Sequence, residues 1–271
     1  MMWNPMIQEV PHPMSRGIAL VRRPSSRLAE GLVTHIERST VDVDLARRQH
    51  DAYCAALADA GWSVLDVVPA DHCPDSVFVE DTVVVCGSRA ILARPGAQQR
   101  RPEVAGTESA VRAVGLEVDK ISSPGTLDGG DVLQIGDTVY VGQGGRTNGA
   151  AIRQLRGLLA DRRVVAVPLG RVLHLKSAVT ALPDGTVVAS PGLVDVGIFP
   201  AVRTVEEDAG CHVVCLGGDK VMISASAPKT TSLLEDLGFT PVVVDVSEFE
   251  KLEGCVTCLS VLVPGITGPQ H

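Results

Sequence analysis

Aromatic residues are scarce in this chain: 3% of its 271 residues, as 4 Phe, 2 Trp and 2 Tyr. A core of interlocking rings is therefore excluded, and the 45% of hydrophobic residues must pack mainly as aliphatic, Val-rich layers. Positive charge is also in deficit. With 24 Lys and Arg against 32 Asp and Glu, the formal charge is −8, and no basic patch suited to a phosphate backbone stands out, so no nucleic-acid partner is expected. Long apolar runs are missing too. The stretch 164–182 is interrupted by Arg171, His174 and Lys176, and 256–266 is about half of the ~20 residues that cross a bilayer, so no membrane span is expected.

The opening MMWNPMIQEVPHPMSRG has no basic start, apolar stretch or small-residue cleavage site, so it does not read as a secretory signal. Seven cysteines are an odd set in a chain long enough to fold on its core, which argues against a disulfide framework. Reduced thiols in the cytoplasm are the expectation. Residues 17–263 read as a single domain, with 1–16 and 264–271 as flexible ends.

Turn chemistry is abundant, with 27 Gly and 17 Pro. A polar cluster, a short apolar strand, a tight turn and a second strand recur, often with a helix and a third strand, at about 40 to 50 residues per copy. The clearest copy is LDGGD, then VLQI, the turn Gly136-Asp137, TVYVG, a helix near 150–159 and VVAVPL. Others run through FVEDTVVVC and RAILAR, through HLKSAVTAL and TVVAS, and through HVVCLG, KVMIS, a helix at 229–237 and PVVVDV. A fifth joins the C-terminal CVTCLSVLV to the N-terminal GIALVRR and a helix at 43–60. Gly-Asp and Asp-Gly turns between alternating strands are hairpin signals. The pattern predicts an α/β ring of five ββαβ units; a doubly wound sheet, the alternative, lacks the repeated hairpins.

In such a ring the polar clusters face one axis. That gathers Asp75, Glu80, Asp81, Asp128, Asp131, His174, Lys176, Cys255 and Cys258 at one place. Acids, an imidazole and a thiol together are the parts of a Cys-nucleophile enzyme acting on a cationic substrate. Cys258 is read at the start of an apolar strand, where an ordinary thiol is mostly protonated and needs a cation beside it, from His174 or from the substrate. His174 is read on an alternating strand, with Asp128 of TLDGGDV as the carboxylate that fixes its tautomer. In PDSVFVED, alternation along a strand puts Asp75 and Asp81 on one side and Glu80 on the other. Their carboxylates suit a guanidinium, and Arg100 and Arg146, both after turns, suit a substrate carboxylate. A metal is the competing account of the acids, but neither Mg²⁺ nor Ca²⁺ would need the thiol or the imidazole. Cys255 and Cys258 also form a CxxC, yet the spacing of Cys211 and Cys215 differs and no paired His completes a zinc site.

Together the motifs RRPSSRLAEGL, LARRQHDAY, PDSVFVEDTVVV, RPGAQQRR, LDGGDV, GGRTN, LHLKS and GCVTCLS resemble, in order and spacing, those of dimethylarginine dimethylaminohydrolases, over about residues 17–262. The resemblance implies a five-bladed α/β propeller with pseudo-five-fold symmetry. It implies Cys258 as nucleophile, His174 as general acid and base, and Asp128 as the acid orienting it. Asp75, Glu80 and Asp81 would hold the guanidinium and neighbouring polar atoms, Arg100 and Arg146 the substrate carboxylate. Leu32 falls on a lid, Phe78 near the leaving amine, and Leu252 and Glu253 on contacts just before the nucleophile. The implied reaction is hydrolysis of methylated arginines to citrulline through a thiouronium adduct, with a small-molecule substrate and neither cofactor nor metal. Some relatives pair as homodimers.

Other readings are arginine deiminase, which usually carries an inserted helical module that this length does not accommodate, an amidinotransferase, and a non-catalytic ring like a ribosome-associated initiation factor. The last predicts no ordered Cys, His and acid set.

Overall fold

The computed structural model describes residues 16–265, so most of the expected flexible leader and tail lies outside the described residues. Arg16, Pro264 and Gly265, assigned to those ends, are tied into the fold. Arg16 N donates to Gly61 O and Gly265 N to Arg16 O, both at 2.9 Å.

Strand β1 (Gly17–Val21) leads through helix α1 (Val43–Asp59) to β2 (Ser63–Asp66). The second unit is β3 (Val83–Cys86), β4 (Arg89–Leu92), α2 (Val104–Ala113) and β5 (Glu117–Lys120). The third is β6 (Val132–Ile135), β7 (Thr138–Gln143), α3 (Gly149–Leu158) and β8 (Arg163–Pro168). The fourth, β9 (Val179–Ala181), β10 (Val187–Ala189) and β11 (Val202–Thr204), crosses with only a 3₁₀ turn at Val196–Ile198. The fifth is β12 (Val213–Gly217), β13 (Lys220–Ser224), α4 (Pro228–Asp236) and β14 (Thr240–Val244), after which α5 (Ser247–Glu250) leads to β15 (Ser260–Pro264).

Each unit is one three-stranded sheet with an antiparallel hairpin and a parallel third strand. In the first, β15 supplies the antiparallel partner of β1, with Gly17 opposite Pro264 and Val21 opposite Ser260. The two ends of the described chain thus share a sheet. The hairpins close where the sequence places Gly: Gly87 and Gly136 hold φ of 59° and 54°, a region that side chains with a Cβ rarely adopt. Helix α1 starts where Asp42 accepts the N–H groups of Asp44 and Leu45 at 3.0 and 2.9 Å, and α3 where Asn148 accepts that of Ala151 at 3.0 Å.

Five apolar clusters each lie between consecutive sheets. Leu20 with Val83 joins the first to the second, Ile91 with Val139 the second to the third, Tyr140 with Val187 the third to the fourth, and Val188 with Val221 the fourth to the fifth. Ala19 with Met222 joins the fifth back to the first, so the ring is closed. This last seam also holds four of the few aromatics, Tyr53, Trp62, Phe78 and Phe249. Trp62 Nε1 donates to Leu216 O at 3.0 Å, and the Tyr53 hydroxyl donates to Val256 O at 2.8 Å while contacting Ser260 Oγ at 2.7 Å. Tyr53 thereby fastens both sides of the Cys258 turn.

Several expected strands are shorter than the sequence pattern suggested. Residues 79–82 form a 3₁₀ turn rather than strand, as do 175–177, and Cys258 lies in a turn two residues ahead of β15. Among the described residues no helix is long and apolar enough to cross a membrane.

Candidate active site

The 3₁₀ turns that open the second, third and fourth units (79–82, 129–131 and 175–177) meet one another. Glycine permits the meeting. A Cβ on Gly130 would stand 2.7 Å from His174 Nδ1 and 2.8 Å from Asp81 Oδ1, and one on Gly129 would stand 2.0 Å from Glu80 O. The DGGD segment is thus a tight turn and also the floor against which His174 is seated.

One cavity takes in most of the residues singled out in the sequence. Cys258, His174, Asp75, Phe78, Asp81, Arg100, Arg146, Leu32, Leu252 and Glu253 all line it. Leu173 and Gly254 complete the wall and had no signal beyond adjacency to His174 and Glu253. Asp128 stands behind the wall, fully buried, with Oδ2 3.0 Å from His174 Nε2 and Oδ1 accepting Gly96 N–H at 2.8 Å.

Glu80 is displaced from the expected arrangement. At three residues per 3₁₀ turn, neighbours point roughly 120° apart, and Glu80 faces away from this cavity, paired with Lys176 Nζ at 2.5 Å. It lines a separate cavity of about 320 Å³. Burial outweighs that ion pair and pushes Glu80 up to about 7. The expected division of Asp75 and Asp81 from Glu80 therefore holds in direction, but a turn produces it rather than strand alternation.

The charged wall is heavily cross-linked. Arg100 spends most of its donors internally: Nη1 on Asp81 at 2.5 Å, Nε and Nη2 on Glu103 at 3.1 and 2.9 Å, and Nη2 also near the Asp75 and Phe78 carbonyls. Glu103, three residues on, was not singled out in the sequence, although its spacing fits such a pair. Arg146 makes one longer pair, Nη1 to Asp128 Oδ2 at 3.4 Å, and keeps donors for a ligand.

Burial alone would lower His174, but the charge of Asp81, 3.7 Å from Nδ1, and the Asp128 hydrogen bond push it up to about 9. It is an imidazolium at neutral pH. Asp128, despite burial, is held well below the usual carboxylate range by His174, Arg100 and the Gly96 N–H. Burial raises Asp75, with Arg100, the Leu32 N–H and Arg146 opposing. Burial also pushes Asp131 up to about 6; its Oδ1 accepts Leu175 N–H at 2.9 Å and so fixes the residue after His174.

The two nearest sulfurs divide one proton. The Cys255 and Cys258 sulfurs share a hydrogen bond across 3.3 Å; that bond, with burial, raises Cys258 well above an ordinary thiol. The same bond, with the cation of His212, lowers Cys255. The resting nucleophile candidate is a thiol.

Asp81, Asp128 and His174 bring donor atoms within 4.8 Å of one another, as a metal site would. Arg100 and the imidazolium already supply positive charge there, so a divalent ion would have to displace both.

The outer wall is the segment around Leu32. Leu32 N–H donates to Asp75 Oδ1 at 2.9 Å, Thr34 N–H to Glu253 Oε2 and His35 N–H to Glu253 Oε1, both at 2.7 Å. Glu253 itself sits at φ 61°, the one positive-φ residue other than Gly among the described residues. Glu253 therefore bonds the segment around Leu32 and also lines the cavity. With this segment in place the cavity measures about 20 Å³, room for about one water, whereas small-molecule sites run to roughly 300–1,000 Å³. A cleft of about 690 Å³ adjoins it, sharing Leu173, Glu253 and Gly254.

Comparison with known proteins gives consistent likenesses. A family model described as arginine deiminase matches residues 66–248. An N(G),N(G)-dimethylarginine dimethylaminohydrolase of Streptomyces coelicolor is 62% identical over 246 residues, 90% of this chain and 95% of that protein. The Pseudomonas aeruginosa enzyme of that name, in a Cys-to-Ser variant complexed with citrulline, superposes with a TM-score of 0.84 at 31% identity, over 92% of this chain and 100% of that one. A dimethylarginine dimethylaminohydrolase adduct with S-methyl-L-thiocitrulline gives 0.86 at 31% identity, over 91% and 99%.

Proposed function

The chain belongs to the dimethylarginine dimethylaminohydrolase family, and from that premise we propose that Cys258 and His174 carry out the family reaction in the cavity they share. It hydrolyses methylated arginines to citrulline and the corresponding amine. The observation that carries the assignment of residues is the convergence of a thiol, an imidazolium, two acids and a guanidinium with free donors on one lidded cavity.

The substrate enters with the lid open. Arg146 takes its carboxylate, and Asp75 and Asp81, the acids that face the cavity, offset its positive charge. Arg100 acts chiefly by holding Asp81 and the Asp75–Phe78 turn in place. Arrival of the cation stabilises the Cys258 thiolate, whose proton passes to water displaced by the substrate, and the sulfur attacks the central guanidinium carbon. His174, already protonated, gives its proton to the departing amine as the C–N bond breaks. A thiouronium adduct remains. Neutral His174 then takes a proton from water, whose oxygen bonds to the same carbon; the C–S bond breaks and citrulline is released. Asp128 keeps Nε2 anchored through both steps.

Seven free thiols support the cytoplasm as the compartment, and the shared sheet of β1 and β15 supports one catalytic unit over residues 17–263. A homodimer is tested by light scattering. The function is tested by incubating the protein, with and without a chelator, with asymmetric dimethylarginine, monomethylarginine, arginine and agmatine. Citrulline with stoichiometric amine from the methylated substrates, unaffected by the chelator, is expected. Faster turnover of arginine would make it a deiminase, and no product from any substrate would sink the enzyme reading.

A further inference from the structure

Cys255, the other half of the CxxC with Cys258, is left unused by this chemistry. The two residues close one tight turn, with Cys258 N–H donating to Cys255 O at 3.1 Å and the sulfurs 3.3 Å apart. A turn of this kind keeps its end Cα atoms within about 7 Å, and a disulfide spans roughly 4.4–6.8 Å, so side-chain rotation of about 1 Å suffices to bond the sulfurs. The other closely spaced pair is built differently. Cys211 Sγ faces Asp208 O and Cys215 Sγ faces Ala181 O, both at 3.2 Å.

The surroundings of Cys255 favour oxidation. His212 is half-buried, with Nε2 on Ser177 O at 3.1 Å, and its charge acts on Cys255. Burial opposes the charge on His212, but the Cys255 sulfur pushes it up to about 10; in turn the hydrogen bond to Cys258 and the charge of His212 lower Cys255. The thiolate is the form that reacts with peroxides. His212 lines the 690 Å³ cleft and Cys258 the adjoining small cavity.

We propose that Cys255 and Cys258 are a reversible redox pair, oxidised by a peroxide to an intramolecular disulfide that takes the nucleophile out of use. In the first step the Cys255 thiolate attacks one oxygen of hydrogen peroxide; an S–O bond forms, the O–O bond breaks and hydroxide leaves. In the second the Cys258 sulfur attacks Cys255, the S–S bond forms, and water leaves carrying the Cys258 proton. Two electrons pass from the sulfurs to the peroxide, and an added dithiol returns them by exchange. The bond also spares Cys258 from irreversible oxidation. Loss of turnover rests on the role proposed for Cys258, whereas the bond itself does not.

The full-length protein, treated with hydrogen peroxide and then with or without dithiothreitol, provides the test. No Lys or Arg follows Lys251, so trypsin leaves both cysteines on one peptide, 252–271. That peptide is expected lighter by two hydrogens after peroxide. Citrulline formation is expected to fall at least about tenfold and to return with dithiothreitol. In Cys255→Ser, peroxide is expected to add oxygen to the peptide with no loss of two hydrogens. A wild-type peptide that gains oxygen instead of losing hydrogens would overturn the proposal. The disulfide without loss of turnover would instead contradict the role of Cys258.

Discussion

The inner and outer walls of the cavity are built on opposite principles. The inner wall comes from turns of the second, third and fourth units, and its charges are buried and paired: Asp81 with Arg100, Arg100 with Glu103, His174 with Asp128. The outer wall is a segment without strand or helix, whose Ile36 is 47% exposed and whose backbone rests on the carboxylates of Asp75 and Glu253. Buried ion pairs cost a great deal to break, so the inner wall presents fixed charge to a reacting group. Hydrogen bonds to a loop open more readily, so the outer wall is the side proposed to admit substrate. The comparison separates chemistry from access.

Removing charge from the inner wall should produce the largest effect. Asp128→Asn keeps the shape but takes away the partner that helps hold His174 near 9, and a fall in kcat of about 10²- to 10⁴-fold is expected. The pH profile gives the sign. With protonated His174 as the proposed leaving-group acid, its contribution in the wild type should be constant below about 9 and fall above it; in Asp128→Asn the fall should begin at lower pH. Stability follows the same titration. A raised folded pKa contributes stability fully present below the unfolded value of about 6.5 and lost as pH rises through about 9, which denaturation at pH 6 to 10 measures in both proteins.

Arg146 has donors to spare, so Arg146→Ala should raise KM by roughly 10- to 100-fold, as loss of a charge-assisted contact of about 1.5–3 kcal/mol implies, with a smaller change in kcat. Steady-state kinetics with asymmetric dimethylarginine separates the two. A collapse of kcat with unchanged KM would move Arg146 from binding to chemistry.

The smallest effect should lie in the outer wall. Glu253→Ala removes the bonds to Thr34 and His35, and amide exchange there should quicken by about tenfold, with activity changed only a few-fold. Exchange unchanged at Thr34 and His35 would show that the lid is held by something other than Glu253.

The same contrast explains what the sequence made legible. The hairpin units, α1, α3, α4 and the closing of the C-terminal strand onto β1 were readable, because Gly-Asp turns and Val alternation report sheet geometry directly. Helix α2 and the third strands β2, β5 and β11 left weak signals: VAGTESAVRA mixes Gly, Thr and Val, and SVLD, EVDK and VRT are largely half-buried or exposed. The site was legible as residue types in order. Its local structure was not, since His174, Cys258 and the Asp75 cluster sit on turns at strand starts, where neighbouring apolar residues imitate a strand. The direction of Glu80 and the bonds of Glu253 depend on contacts between distant units, which no spacing encodes.

Acid quench of the protein turning over asymmetric dimethylarginine, followed by mass analysis of peptide 252–271, tests the central claim most directly. The account predicts an adduct on Cys258 with the mass of the substrate less dimethylamine, chased to citrulline when the unquenched mixture is diluted, and neither adduct nor turnover in Cys258→Ala. Turnover surviving in Cys258→Ala, or rapid citrulline formation with an adduct on a different residue, would contradict it.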